Sequence, residues 1–129
     1  MACFLVPTAE AVITTVAAKA VRKKEAKSPE QQTDKPKLSE KLGLLNNMLW
    51  GGSGLLAFEH VWHGEVQPFF PFLTAASDPE STAEMLTEMA TSGTAMAAVV
   101  TLAWAGIVTA SGMIRKRTAA KAASEGASA

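Results

Sequence analysis

Apolar and charged segments alternate along the chain, and this alternation is the main signal in the sequence. In order, the segments are apolar, basic, apolar, acidic, apolar and basic, and they cover residues 1–21, 22–41, 42–62, 63–89, 90–114 and 115–129. Apolar segments of this length that are bounded by charge are typical of membrane helices. The pattern predicts an all-α fold, namely a small helical integral membrane protein with two or three transmembrane helices, an outer loop and a short outer helix.

The third apolar segment, residues 90–114, is the most uniform. Its 25 residues contain no charge and no proline, and Arg115, Lys116 and Arg117 follow at once. A helix of this length is about 37 Å long, enough to cross a hydrocarbon core of about 30 Å with some tilt. A chain of 129 residues is also too small to enclose such a helix on all sides in a soluble globule. We therefore predict a transmembrane helix here.

The second apolar segment, residues 42–62, is more mixed. It contains Asn46, Asn47 and Ser53 together with three glycines between residues 51 and 54. Glycine is tolerated in membrane helices where another helix approaches closely. Because the segment is basic on one side and acidic on the other, it predicts a second span.

The first apolar segment, residues 1–21, allows two interpretations. Pro7 suits the first helical position, which would make Val6 the cap and put Glu10 in the first turn, where the helix dipole favours a carboxylate. The polar residues of the segment fall on two sides of the helix, so the single polar face of an interfacial helix is absent. We expect a third span, with an interfacial or re-entrant helix as the alternative.

The charged segments set the orientation. Residues 22–41 hold seven basic and four acidic residues with two prolines, which predicts a solvated loop that could continue as helix at either end. Residues 115–129 are basic and then small and polar, which predicts a flexible tail. Basic residues near span ends are retained in the cytoplasm, so this loop and the C-terminus of a multi-pass cell-membrane protein are expected to be cytoplasmic. The formal net charge of zero gives no reason to expect a nucleic-acid partner.

The acidic segment, residues 63–89, is expected to lie outside. Its phenylalanines are spaced by Pro68 and Pro71, which cannot continue a helix and predict a loop at the level of the lipid headgroups. Ser77 or Asp78 then caps a helix that has proline in its first turn and a stripe of glutamates at four-residue spacing. We expect this helix to run on into the last span.

Two places carry candidate chemistry. Glu59, His60 and His63 are three or four residues apart, so a helix would bring them to one neighbourhood, and their side chains are ligands for zinc or iron. The simpler interpretation is that they end a span at the wet interface. Glu10 is a candidate ion or proton site if it lies inside the membrane, and an ordinary first-turn carboxylate if it does not.

Small residues supply a packing signal. Gly93 and Ala97, and then Gly106 and Ala110, are four residues apart on the last span. The second span carries a similar patch at Gly51, Gly52 and Gly54. Both patches suit either assembly with another subunit or packing of the two spans on each other, and the sequence does not separate these alternatives.

These observations favour a non-enzymatic protein. The sequence contains no P-loop, dinucleotide-binding glycine pattern, Ser/His/Asp arrangement or Cys/His finger, and its single cysteine, Cys3, cannot form an internal disulfide. We predict an accessory or oligomer-forming component that contacts membrane lipid and either copies of itself or another membrane subunit, with an outward acidic, His-containing recognition loop. The alternative is an ion or proton transport or metal-handling membrane protein that uses Glu10, Glu59, His60 and His63. A soluble all-helical domain is the third possibility.

Overall fold

The computed structural model describes residues 2–28 and 36–128 and confirms the all-α class. Four α-helices account for most of these residues: α1 (Leu5–Lys27), α2 (Leu38–Trp62), α3 (Pro79–Glu88) and α4 (Thr94–Ala127). A 3-10 turn, Thr74–Ser77, precedes α3, and a π-helical turn, Met89–Gly93, joins α3 to α4. The described residues contain no β-strand.

Helices α1 and α2 form an antiparallel pair that α4 packs against. Polar contacts mark the register at three levels: Cys3 lies against His60, Thr15 against Asn46, and Glu25 against Ser39. An apolar cluster lies between these levels and consists of Ala11, Leu45 and Leu49 with Val100 and Trp104 of α4 packed against it. The three helices therefore share one small core near the middle of the bundle.

The start of α1 differs from the sequence prediction. The helix begins at Leu5 with Phe4 as its N-cap, so Pro7 is the third helical residue and no acidic residue lies in the first turn. The prediction of Val6 as the cap and of Glu10 as a first-turn carboxylate is wrong. Proline fits anywhere in the first turn because the first backbone N–H groups have no partner within the helix, and this tolerance makes its position a poor marker of the first residue.

The two helices near the C-terminus form one continuous rod. Asp78 caps α3, because its Oδ1 accepts a 2.8 Å hydrogen bond from the backbone N–H of Ser81, and Pro79 is the first helical residue. This cap and the continuation into the last apolar segment confirm the prediction. The rod from Pro79 to Ala127 has 49 residues and is about 73 Å long.

Helix extends into both basic segments, at the described ends of the loop, as the sequence allowed, and through the C-terminal tail. The basic segment is helical at both described ends, where α1 continues to Lys27 and α2 begins at Leu38, and the middle of the predicted loop, residues 29–35, lies outside the described residues. The predicted flexible tail is instead helical through Ala127. Alanine and lysine are good helix formers, and extending an existing helix requires no new nucleation.

The connection between α2 and α3 closes one end of the bundle, which we call the loop end. Gly64 takes the left-handed conformation with φ 73°, and the chain then makes a short antiparallel bridge between Val66 and Leu73. A second apolar cluster lies beneath it and contains Ala2, Ala75 and Met85. The phenylalanines of this connection are mostly exposed: Phe69, Phe70 and Phe72.

One helix in the described part of the chain has the length and composition of a membrane span. It is the rod Pro79–Ala127, whose most apolar 18-residue window has a mean hydropathy of 1.8 and is 6% buried within the chain. Helix α2, with its asparagines and glycines, does not meet the same criterion. The second and third spans therefore remain predictions.

Candidate functional site

A buried imidazole lies at the loop end of the bundle. His60 belongs to the last turn of α2 and is 6% exposed. Its Nδ1 lies 2.7 Å from the carbonyl oxygen of Leu56, and a carbonyl oxygen accepts but cannot donate, so Nδ1 carries a hydrogen. In the neutral ring Nε2 is then an acceptor.

The thiol of Cys3 and a carboxylate meet this Nε2. Cys3 Sγ lies 3.4 Å from it, Glu65 Oε2 lies 3.6 Å from it, and the ring of Phe4 packs edge-on against the imidazole with centroids 5.1 Å apart. The neutral imidazole can accept the S–H of Cys3, while a second proton on the ring would face the carboxylate of Glu65. The arrangement joins the start of α1, the end of α2 and the connecting loop.

The spacing of residues along the chain indicates His60 but not its partner. Cys3 is 57 positions away and is the single cysteine of the chain, so the sequence shows only that it cannot form an internal disulfide. No local spacing could have shown the pairing, since it depends on how α1 and α2 align.

The predicted zinc or iron ligands do not share this environment. His60 is buried against α1, whereas Glu59 and His63 are exposed. Within residues 2–28 and 36–128, no group of three or more His, Cys, Asp or Glu side chains is placed to hold one metal ion. The three predicted side chains therefore do not surround a common point where one metal ion could bind.

Glu10 lies in the middle of the bundle rather than at a helix end. Thr101 of α4 donates a 2.5 Å hydrogen bond from Oγ1 to Glu10 Oε1. Thr101 lies near the centre of the apolar segment 90–114, so the carboxylate sits at the level of the middle of the predicted span. The buried Thr14 follows on the same face of α1, one turn further on.

A second hydroxyl lies at the level of Glu10 on the facing helix. On α2, Ser53 falls between His60 and Asn46; on α1, Glu10 falls between their partners Cys3 and Thr15. Because the two helices are antiparallel and in contact at both flanking levels, Ser53 and Glu10 occupy the same height in the bundle. Ser53 is 3% exposed, and its Oγ has no hydrogen-bond partner among the described residues.

Further polar contacts hold the helices in register. Thr15 Oγ1 lies 2.6 Å from Asn46 Oδ1 and accepts a hydrogen bond from Trp50 Nε1 at 3.1 Å. Trp104 Nε1 donates to the carbonyl oxygen of Lys41 at 2.7 Å. The side-chain oxygen of Asn46, one of the polar residues that make α2 less apolar, thus lies against a hydroxyl of α1.

The small residues divide into two groups. A Cβ added at Gly93 would lie 2.9 Å from both the carbonyl oxygen of Cys3 and Cγ2 of Val6, and Ala97 is buried. Gly93 therefore lies where α4 approaches the start of α1 within the chain. A Cβ at the other glycines of the pattern would meet nothing within 4 Å: Gly51, Gly52, Gly54 and Gly106. Ala110 is exposed.

Comparisons with known proteins add no relative: no family model matches the chain, and no curated protein or solved structure matches it.

Proposed function

We propose that this chain is a small, non-enzymatic integral membrane protein that acts as an accessory or oligomer-forming component. The observation that carries the proposal is the apolar window of the rod Pro79–Ala127, which is long enough to span a bilayer and only 6% buried within the chain. Water would be a poor solvent for so much exposed apolar helix, whereas lipid or a neighbouring membrane helix would cover it.

The small residues that the bundle does not use support a lateral contact. Gly106 and Ala110 lie one turn apart on the exposed side of α4, next to Leu102, which is 71% exposed. Small residues at four-residue spacing allow a second membrane helix to approach closely. We propose that this face of α4 contacts a second copy of the chain, with another membrane subunit as the alternative occupant.

The exposed residues at the loop end form the recognition surface that we propose. Glu59, His63 and the exposed phenylalanines of the connection lie together in the chain at the end of α2, and Glu80 and Glu84 are exposed on α3. The charge rule puts this acidic end outside the cell and the basic ends of α1 and α4 in the cytoplasm.

Cysteine crosslinking in membranes tests the lateral contact. Gly106→Cys in a Cys3→Ser background places a thiol where an added Cβ meets nothing within 4 Å. The matched control is Ala105→Cys, an exposed position about 100° around the same helix. Oxidation should give a disulfide-linked dimer of the Gly106→Cys variant and little dimer of the Ala105→Cys variant. Monomer from both variants, together with no protein that co-purifies in mild detergent, would contradict the proposal.

Membrane position and topology need a separate measurement. The chain should stay in the membrane on carbonate extraction, and tags inserted near Ser77 and Ser128 should be accessible from opposite faces of intact cells. Extraction by carbonate without detergent would favour a soluble helical domain. Access to both tags from one face would overturn the orientation.

A further inference from the structure

A groove lies between the start of α2 and the middle of α4, away from the loop end. It has a volume of about 200 Å³. Residues of α4 that line it recur at three- or four-residue spacing and so lie on one side of that helix: Val108, Ser111 and Arg115. Trp104, one turn before Val108 on the same side, donates its indole N–H to the backbone carbonyl oxygen of Lys41 at 2.7 Å. This hydrogen bond holds the start of α2 against α4.

The lining of the groove combines apolar and charged side chains. Leu44 and Val108 supply apolar surface, whereas Lys41 and Arg115 supply positive charge and Glu40 supplies a carboxylate. Within residues 2–28 and 36–128, neither cation has an ion-pair partner. The two positive charges outnumber the negative one, so the groove suits an anionic group that is attached to an apolar chain.

The two cations lie where lipid headgroups are expected. Lys41 directly precedes the apolar segment 42–62, and Arg115 directly follows the apolar segment 90–114. In a bilayer the ends of such segments reach the headgroup region, where the phosphate groups lie. Free phosphate would leave the apolar part of the groove uncovered, whereas the first carbons of an acyl chain would cover Leu44 and Val108.

We propose that this groove binds one anionic phospholipid, with the phosphate held by Lys41 and Arg115 and the start of an acyl chain against Leu44 and Val108. The two cations donate charge-assisted hydrogen bonds to the phosphate oxygens. Glu40 accepts a hydrogen bond from a headgroup that carries a donor, such as the glycerol hydroxyls of phosphatidylglycerol. The inference rests on the bundle lying in lipid, as the proposed function requires, and adds a specific lipid ligand to that function.

Native mass spectrometry of the full chain, released from membranes with a mild detergent, tests the groove. The probe is phosphatidylglycerol, and the comparison is phosphatidylcholine, which has the same acyl chains but a zwitterionic headgroup. We expect one molecule of phosphatidylglycerol per chain to stay bound and phosphatidylcholine to bind about tenfold more weakly. Inorganic phosphate should not displace the lipid, because it lacks the acyl chain.

Two double variants separate specific binding from general attraction between charges. Lys41→Gln with Arg115→Gln removes both cations of the groove and should weaken the binding of phosphatidylglycerol by about tenfold or more. The matched control, Lys24→Gln with Arg117→Gln, removes two exposed cations from the basic ends of α1 and α4 that do not line the groove. This control should leave binding unchanged.

A further pair of variants keeps both cations and changes only the space. Ser111 lines the groove, and its hydroxyl donates to the carbonyl oxygen of Ile107, so Ser111→Leu removes one local hydrogen bond and adds bulk. Ser124→Leu is the matched control, because Ser124 makes the same kind of hydrogen bond to Lys121 outside the groove. Ser111→Leu should weaken the binding of phosphatidylglycerol severalfold, and Ser124→Leu should not change it.

Three outcomes would overturn the lipid site: equal retention of the two lipids, equal binding of phosphatidylglycerol by the two double variants, or displacement of the lipid by inorganic phosphate. Crosslinking of the Gly106→Cys variant in the same membranes keeps this test separate from that of the proposed function. Loss of selective lipid binding with the crosslink retained would count against the groove alone, whereas loss of the crosslink with selective binding retained would count against the oligomer alone.

Discussion

His60 lies with Nε2 3.4 Å from Sγ of Cys3, although 57 positions separate the two residues. The contact ties the start of α1 to the end of α2, and both side chains are buried. Because Cys3 is the single cysteine of the chain, its reactivity reports directly on whether this end of the bundle is closed.

We expect Cys3 to react slowly with a maleimide in the folded protein. His60→Ala would remove the imidazole that covers the thiol and leave a cavity, so local opening should become easier and labelling about tenfold faster. The rate can be followed by mass spectrometry in mild detergent. His63→Ala, at the exposed neighbouring histidine, is the control and should not change the rate. Equal rates in wild type and His60→Ala would contradict a closed loop end.

Local signals in the sequence predicted local structure well. Asp78 followed by Pro79 is a complete helix start, since the cap, the proline and the first turn are all neighbours in the chain. The apolar run of residues 90–114 likewise needed no partner to be recognised as a long helix. The helical class and this boundary were therefore predictable.

Contacts between helices were not predictable. Glu10 and Thr101 are 91 positions apart, and their pairing depends on where α1 begins and on the side that α4 presents to it. If α1 is taken to begin at Pro7 rather than at Leu5, Glu10 falls near the start of the helix and resembles a helix-end carboxylate. Only the three-dimensional register brings Ser53 to the same level.

Gly93→Ala should destabilise the bundle. The new Cβ would lie 2.9 Å from the carbonyl oxygen of Cys3 and from a methyl group of Val6, so α4 or α1 must shift, at a cost of about 1–3 kcal/mol. Gly112→Ala is the matched control on the same helix, and it should be neutral or slightly stabilising because a Cβ there meets nothing within 4 Å. Thermal unfolding in detergent compares the two. Equal midpoints for both variants would refute the close approach of α4 to α1.

Asp78→Ala should loosen the start of α3. The Ser81 backbone N–H bound to its side chain, followed by the Ser81 hydroxyl, lowers the pKa of Asp78, so the ionised cap is the stabilising form. Removal of the cap should destabilise the first turn of α3 at neutral pH, and Asp78→Asn should retain most of the stability because an amide oxygen also accepts. Hydrogen exchange of the α3 amides measures the effect. Stronger protection of α3 in Asp78→Ala than in Asp78→Asn would be inconsistent with this cap.

The stability of the contact between the end of α1 and the start of α2 should depend on pH. Ser39 donates from Oγ to Glu25 Oε2 at 2.6 Å, and this hydrogen bond lowers the pKa of the carboxyl. The folded pKa is below the unfolded one, so the stabilisation is present above the ordinary glutamate pKa and is lost as pH falls through the lowered value. Ser39→Ala should raise the pKa of Glu25, which carboxyl NMR can follow. The stability of the Ser39→Ala variant should converge with that of the wild type in acid. A pKa of Glu25 that does not move in Ser39→Ala would rule out this hydrogen bond as the cause.

The π-helical turn Met89–Gly93 inserts one residue into an otherwise regular rod. Each residue of an α-helix advances the side-chain direction by about 100°. The extra residue therefore sets the angle, about the helix axis, between the side chains of the acidic half of the rod and those of its apolar half. Deleting one residue from the turn would leave both halves helical yet swing Thr101 away from Glu10. The five residues of the turn thus set the rotation of α4 about its own axis, and with it the side of α4 that faces α1.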